Sequence, residues 1–194
     1  LIPPLTYMME HGIRVDKTGM ALAAKQSEEE ALLLCNSINT LVGRTCVPNA
    51  SYAKGDSDLN LSSSQQLQGY FYGRLGLKPY VSKDTGKPTV DEIALTRLAN
   101  QGRSEASLIL RVRKLMKQCT TFLDTSQIDG DGRMRCQYNP VGTKFGRISS
   151  SENIFGTGTN LQNIPHNVLT YFLAYEGYVL YSLDMSQIEN RIVA

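Results

Sequence analysis

A change of texture near residue 129 constrains the fold of this 194-residue chain more than any other feature. Before it, apolar residues recur at helical spacing between capping signals. After it, glycine, serine, threonine and asparagine dominate, and helical periodicity is lost until the last residues. The pattern predicts a mostly helical part followed by a part built of short strands and long connections.

In the helical part, Asp16 is placed to cap a helix running to about residue 42, with Leu34, Ile38 and Leu41 at i, i+4 and i+7. Residues 43–59 are polar and turn-rich and predict a mobile loop. Ser62 with Gln65, and Thr89 with Glu92, form capping boxes that open two short helices, with a hairpin-like or looped linker at 82–88 between them. The longest helix is predicted from residue 104 to about 124, burying Leu108, Val112, Leu115 and Phe122. Arg111, Arg113, Lys114 and Lys117 crowd the rest of that helix, with no acid between Glu105 and Asp124. Such a face is either solvated or a ridge that tracks phosphates. Residue types alone leave both readings open.

Beyond the change of texture, residues 129–132 predict a tight turn. Its D-x-D-G pattern is not a calcium loop, because Arg133 follows where an oxygen ligand is needed and no Glu closes it. Residues 133–138 alternate like a strand. Residues 139–165 lack periodicity, and a stretch of that length is usually functional or disordered. Residues 178–183 form an apolar, β-rich run that ends at Asp184, and 186–194 have helical character, with Ile188 and Ile192 at i, i+4.

Composition mainly excludes. A net charge of +2 does not by itself announce a nucleic-acid binder. No apolar run reaches the ~20 residues that span a bilayer, and the first residues do not form a signal peptide. A first residue of leucine predicts sequence upstream. The four cysteines form no C-x-x-C pair and have no His at metal-ligand spacing, which predicts reduced thiols and a cytoplasmic location.

The chemistry concentrates in three strings. A carboxylate at the end of a buried strand is held rigidly, and magnesium requires hard oxygen ligands in fixed geometry. Alone, Asp184 serves equally well as a helix N-cap. The string around it is more specific. Asp184-Met185-Ser186-Gln187-Ile188-Glu189-Asn190-Arg191 resembles the first palm motif of family A DNA polymerases, D-Y-S-Q-I-E-x-R, and six positions match. Gly146-Arg147-Ile148-Ser149-Ser150 resembles the family's G-R-L-S-S, and Asn160-Leu161-Gln162-Asn163-Ile164-Pro165 matches N-L-Q-N-I-P. The resemblance extends back through the helices and covers nearly the whole chain. Met185 replaces the usual Tyr, Phe145 replaces a Thr, and residues 166–172 carry no Arg or Lys.

The resemblance implies an α+β fold of the right-hand polymerase type: an opening segment at 1–16, a helical thumb at 17–128, and the N-terminal part of an antiparallel palm sheet at 129–194. It implies an enzyme that adds deoxynucleotides to a primer 3′ end by two-metal phosphoryl transfer. Asp184 and the carbonyl of Met185 would hold two Mg2+ ions. Glu189 would block the sugar 2′ position, with Ser186, Gln187 and Ile188 lining the nucleotide floor. Arg147 would enter the minor groove, whose acceptors are nearly alike for every correct pair. Asn160, Gln162 and Asn163 would hold template and primer there, and Arg113 and Lys117 would meet duplex phosphates. The implied partners are primer-template DNA, deoxynucleoside triphosphates and the missing C-terminal palm and fingers, in a bacterial or phage-infected cell and away from membranes. A single-subunit RNA polymerase is disfavoured by Glu189, since that place must stay small to admit a 2′-hydroxyl. The alternative of a different class is a non-catalytic DNA-binding module derived from a polymerase.

Overall fold

The computed structural model describes residues 2–55, 57–183, 185–187 and 191–192. In chain order the elements are α1 (Ile2–His11), β1 (Ile13–Val15), α2 (Lys17–Val42), β2 (Cys46–Val47), β3 (Leu59–Asn60), α3 (Ser64–Gln68), β4 (Tyr80–Val81), β5 (Pro88–Thr89), α4 (Glu92–Asn100) and α5 (Ser104–Lys117). After these come β6 (Arg133–Met134), β7 (Gln137–Asn139), β8 (Ser149–Ser151), α6 (His166–Leu169) and β9 (Phe172–Leu173). The chain divides into two compact units, residues 18–124 and residues 1–17 with 125–194. The architecture is α+β, as the resemblance and the helix pattern imply.

The unit of residues 18–124 is helical. Its α2 starts directly after Asp16 and buries Ala31, Cys35, Ile38 and Val42. Of the predicted stripe, Ile38 is fully buried and Leu34 packs partly buried against the core, whereas Leu41 is 51% exposed and Val42 is buried in its place. The helix ends at Gly43, which takes φ +67°, a conformation that L side chains rarely adopt. Residues 43–59 are not a loose loop. Cys46 and Val47 pair in parallel with Leu59 and Asn60, and Cys46 N donates to Asn39 Oδ1 at 2.6 Å. Asp58 accepts from the amides of Lys54 and Gly55. The polar composition that suggested mobility is consumed in local side-chain–backbone bonds.

Both short helices carry a cap one or two residues later than predicted. Ser63 accepts from Gln66 N to open α3, and Asp91 accepts from Ala94 N to open α4. Between them β4 and β5 pair as an antiparallel hairpin, the first of the two readings of this linker. The longest helix is α2, with 26 residues; α5 has 14 and continues as a π-type turn through Phe122. Phe71, Leu67, Ile38, Leu95, Ile109 and Val112 are fully buried at the centre of this unit. Removal of their apolar surface from water is its main source of stability.

The other unit is built on β1. Its sheet has the order β6-β1-β9, all antiparallel, with Ile13 opposite Met134 and Val15 opposite Phe172. The opening segment therefore supplies the central strand of this sheet. The turn at 129–132 closes as predicted, with Gly132 N donating to Asp129 O at 3.0 Å. The run 133–138 is divided: β6 joins the sheet, whereas β7 pairs with β8 in a separate hairpin. Gly158 marks a close approach. At φ +80°, a Cβ there would lie 1.7 Å from the carbonyl oxygen of Arg135. Residues 178–183 form no strand, and Leu183 is 93% exposed. Their β propensity finds no partner strand among the described residues, and propensity alone does not make a strand.

Candidate nucleic-acid interface

The β7–β8 hairpin brings two of the three strings together. Gln137, Tyr138 and Asn139 pair with Ser151, Ser150 and Ser149. Ser150, nearly fully buried, donates from Oγ to Asn160 Oδ1 at 2.6 Å. The same Oδ1 accepts from Gln162 N at 3.0 Å and so caps the short turn Leu161–Asn163. Gln162 Nε2 donates back to the carbonyl of Ile148 at 3.2 Å. Residues 146–151 and 160–163 are thus stitched by two side-chain bonds. Arg147 is exposed beside this seam, and its carbonyl accepts from Thr143 Oγ1 at 2.8 Å. Gln162 and Asn163 are exposed as well, while Asn160 is half-buried.

A second network underlies the hairpin. Arg135 donates to Asp129 Oδ2 and Asp131 Oδ2, each at 2.6 Å, and through Nε to the carbonyl of Glu10 at 2.7 Å. The hydrogen bond from Arg135 holds the Asp131 carboxyl below the usual carboxylate range. Asp129 Oδ1 accepts from Thr157 Oγ1, which accepts from Asn153 Nδ2. Neighbouring Arg133 reaches the carbonyls of His11 and Gly12, and its guanidinium lies 4.8 Å from the centre of the Tyr175 ring. Sequence reading took Asp129 and Asp131 for turn residues only. The signal for more was the alternation of acids at 129 and 131 with arginines at 133 and 135.

Arg113 departs from its predicted role. Nε donates to the carbonyl of Leu61 at 2.7 Å, and a terminal nitrogen donates to that of Val90 at 2.8 Å. Burial disfavours its charge and lowers its pKa. The guanidinium faces two internal carbonyls rather than a duplex, so it is a structural tie between residues 61 and 90. Lys117 on the same helix is exposed, as is Lys114. Arg111 pairs with Glu30 across to α2.

Of the third string, Met185, Ser186 and Gln187 are exposed, Gln187 has φ +52°, and Arg191 N donates to its carbonyl at 3.1 Å. Asp184, Ile188 and Glu189 lie outside the described residues. Among the described residues no group of three or more His, Cys, Asp or Glu is placed to hold a metal ion, and no helix is long and apolar enough to cross a membrane.

The sequence profile of DNA polymerase family A matches residues 44–194, and this chain belongs to that family. It is 31% identical to DNA polymerase I of Pseudomonas aeruginosa over all of its length and 20% of that protein's. It is 30% identical to the thermostable DNA polymerase I of Thermus aquaticus, across 98% of this chain and 22% of that one. The chain thus spans about a fifth of these relatives. Its fold is similar to the POL domain of Pol1 from M. smegmatis, solved in complex with DNA primer-template and dNTP: the TM-score is 0.71 at 24% identity, covering 90% of this chain and 29% of that one.

Proposed function

We propose that this chain is the thumb and the first part of the palm of a template-directed DNA polymerase acting in replication or repair. In this reading, residues 18–124 are the thumb, and residues 1–17 with 125–194 belong to the palm. The observation that carries it is the hydrogen-bonded seam of residues 146–151 and 160–163, along which Arg147, Gln162 and Asn163 are each exposed. The structural neighbour, itself solved with primer-template and dNTP, supports the same reading.

The roles follow from the chemistry of each group. Arg147 reaches into the minor groove at the primer terminus, where O2 and N3 acceptors test pair shape without reading sequence. The Oδ1 of Asn160 is occupied by Ser150 and Gln162, which leaves its amide NH2 as the donor toward nucleic acid. Lys117 meets duplex phosphates, a contact that is sequence-independent and weakened by salt. Met185, Ser186, Gln187 and Ile188 line the floor beneath the incoming nucleotide, and Glu189 closes the space beside its 2′ carbon.

The metal donor set proposed here is all oxygen, the Asp184 carboxylate and the Met185 carbonyl, and therefore suits magnesium. Held by Asp184 and the carbonyl of Met185, two such ions would supply charge neutralisation for the primer 3′-hydroxyl and the triphosphate. The remaining palm and the fingers of the same polymerase complete the site, in the cytoplasm of a bacterial or phage-infected cell. The test is Asp184→Ala in the polymerase that carries this segment. Single-nucleotide incorporation should fall by roughly three decades or more, with primer-template binding retained. Near-normal turnover would refute the proposal, and binding without any turnover in the unsubstituted protein would favour a non-catalytic DNA-binding module.

A further inference from the structure

One hydroxyl joins the Arg135 network to the approach of the seam. Thr157 Oγ1 donates to Asp129 Oδ1 at 2.9 Å and accepts from Asn153 Nδ2 at 2.7 Å. Its single proton and one lone pair thus serve two different partners. On the Asp129 side, Oδ2 accepts from Arg135, which is held in turn by Asp131 and the carbonyl of Glu10. On the other side, Asn153 Oδ1 accepts from the amides of Phe155 and Thr157, and Asn153 N donates to Thr157 O at 2.8 Å. Residues 153–157 therefore form one bonded turn. It makes up most of the connection between β8, which ends at Ser151, and the string that begins at Asn160. Beside it, Gly158 N donates to the carbonyl of Gln127 at 3.1 Å.

We propose that Thr157 is a positioning residue for the primer terminus: its hydroxyl passes the Arg135–Asp129 brace to residues 160–163 and, through the seam, to Arg147. This rests on the function proposed above. The two seam bonds fix the strings to each other. Asp129 lies in the turn before β6, a strand of the three-stranded sheet, so the Thr157 bond refers the seam to that sheet. From β9 of the same sheet the chain leads on to Asp184, the proposed metal ligand. A primer end that is held by the seam and activated at the metals must suit both at once. A misplacement of the order of 1 Å costs about two decades in rate.

The test uses the polymerase that carries this segment, at a temperature well below the unfolding of every variant, with a matched and a 3′-mismatched primer-template. Thr157→Val keeps the shape of the side chain and removes the hydroxyl, whereas Thr157→Ser keeps the hydroxyl. Thr157→Val should lower kcat for correct single-nucleotide addition roughly tenfold, less than a full misplacement costs because the Gly158 bond remains. The Kd for primer-template should stay within about twofold, since phosphate contacts are untouched. The ratio of matched to mismatched kcat should narrow, because a mismatched end is already displaced and has less rate to lose. Thr157→Ser should restore both values. Asp129→Asn leaves one oxygen to serve both Arg135 and the Thr157 hydroxyl; it should move both readouts in the same direction, and it carries the test if Thr157→Val does not fold. Unchanged kcat and mismatch ratio in these variants would overturn the proposal. So would equal losses for Val and Ser, or matched and mismatched ends slowed in equal proportion, which is the result of support for the fold alone. If the unsubstituted polymerase adds no nucleotide, the polymerase reading falls and the proposal falls with it.

Discussion

The hydroxyl of Ser150 donates a 2.6 Å hydrogen bond to Oδ1 of Asn160, and this bond joins two strings that lie ten residues apart in the chain. The acceptor is shared with Gln162 N, so one side chain both caps a turn and clamps a strand. Ser150→Ala should therefore cost about 1 kcal/mol in denaturant unfolding, as one buried hydrogen bond is lost while the cap persists. Asn160→Ala should cost more, about 2 kcal/mol, because both functions go. Equal stabilities for the two variants would show that the cap adds nothing beyond the clamp.

Arg113 and Lys117 sit on one helix and should behave oppositely. Arg113 serves the carbonyls of Leu61 and Val90, so Arg113→Ala should destabilise the protein by roughly 2–3 kcal/mol, with Arg113→Lys rescuing little because one ammonium does not span both carbonyls in the guanidinium's geometry. Lys117→Ala should leave stability within about 0.5 kcal/mol. It should weaken DNA binding uniformly and reduce the salt slope by about 1. Thermal melts and DNA titrations on the same preparations separate the two; a normal melt for Arg113→Ala would return it to the phosphate ridge.

The basic ridge shows how far sequence reaches. Four cations on α5 were visible, but which of them faced solvent depended on α2 and on residues 61 and 90, which no local pattern encodes. The same limit moved the α2 stripe from Leu41 to Val42 and the caps from Ser62 to Ser63 and from Thr89 to Asp91. Periodicity fixes that a helix has a buried face, and neighbouring polar residues compete for the cap within a residue or two. The strings at 146–150 and 160–165 were legible because their residue types are specific. Their meeting was not, because hydrogen bonds between Ser150 and Asn160 leave no periodic trace. The Arg135 network was missed for a related reason: its partners Glu10, Asp129 and Asp131 are gathered by the β1–β6 pairing.

Alkali should destabilise the unit of residues 18–124. Burial pushes the Cys35 thiol up to about 12 and that of Cys46 to about 11, from an ordinary value of 9.0. The unfolded chain therefore loses these protons first, and unfolding is favoured as pH rises. The stability is full below about pH 9 and declines progressively toward the folded values. Tyr70 and Tyr72, raised mainly by burial, add to the decline with the same sign. Urea unfolding at about pH 8 and about pH 10.5 should show the drop, and Cys35→Ala with Cys46→Ala should lessen it. A flat profile, or fast alkylation of both thiols in the folded protein at neutral pH, would contradict the burial of these groups.

Glu189 carries the sharpest prediction about substrate choice. In the proposed polymerase it follows the metal-binding Asp184 by five positions and closes the space beside the sugar 2′ carbon. A ribonucleotide's 2′-hydroxyl would then clash with the side chain that fills its place. Glu189→Ala in the polymerase carrying this segment opens that space. The kcat/KM for ribonucleotides should rise by roughly one to two decades, the scale on which a pocket rejects one added hydroxyl. The value for deoxynucleotides should change less, since they make no use of the blocked volume. The two constants are measured by single-nucleotide incorporation on the same primer-template, with Asp184→Ala as the control for contaminating activity. An equal fall for both sugars would mean that Glu189 supports the site without gating it, and unchanged discrimination would place the gate on another residue.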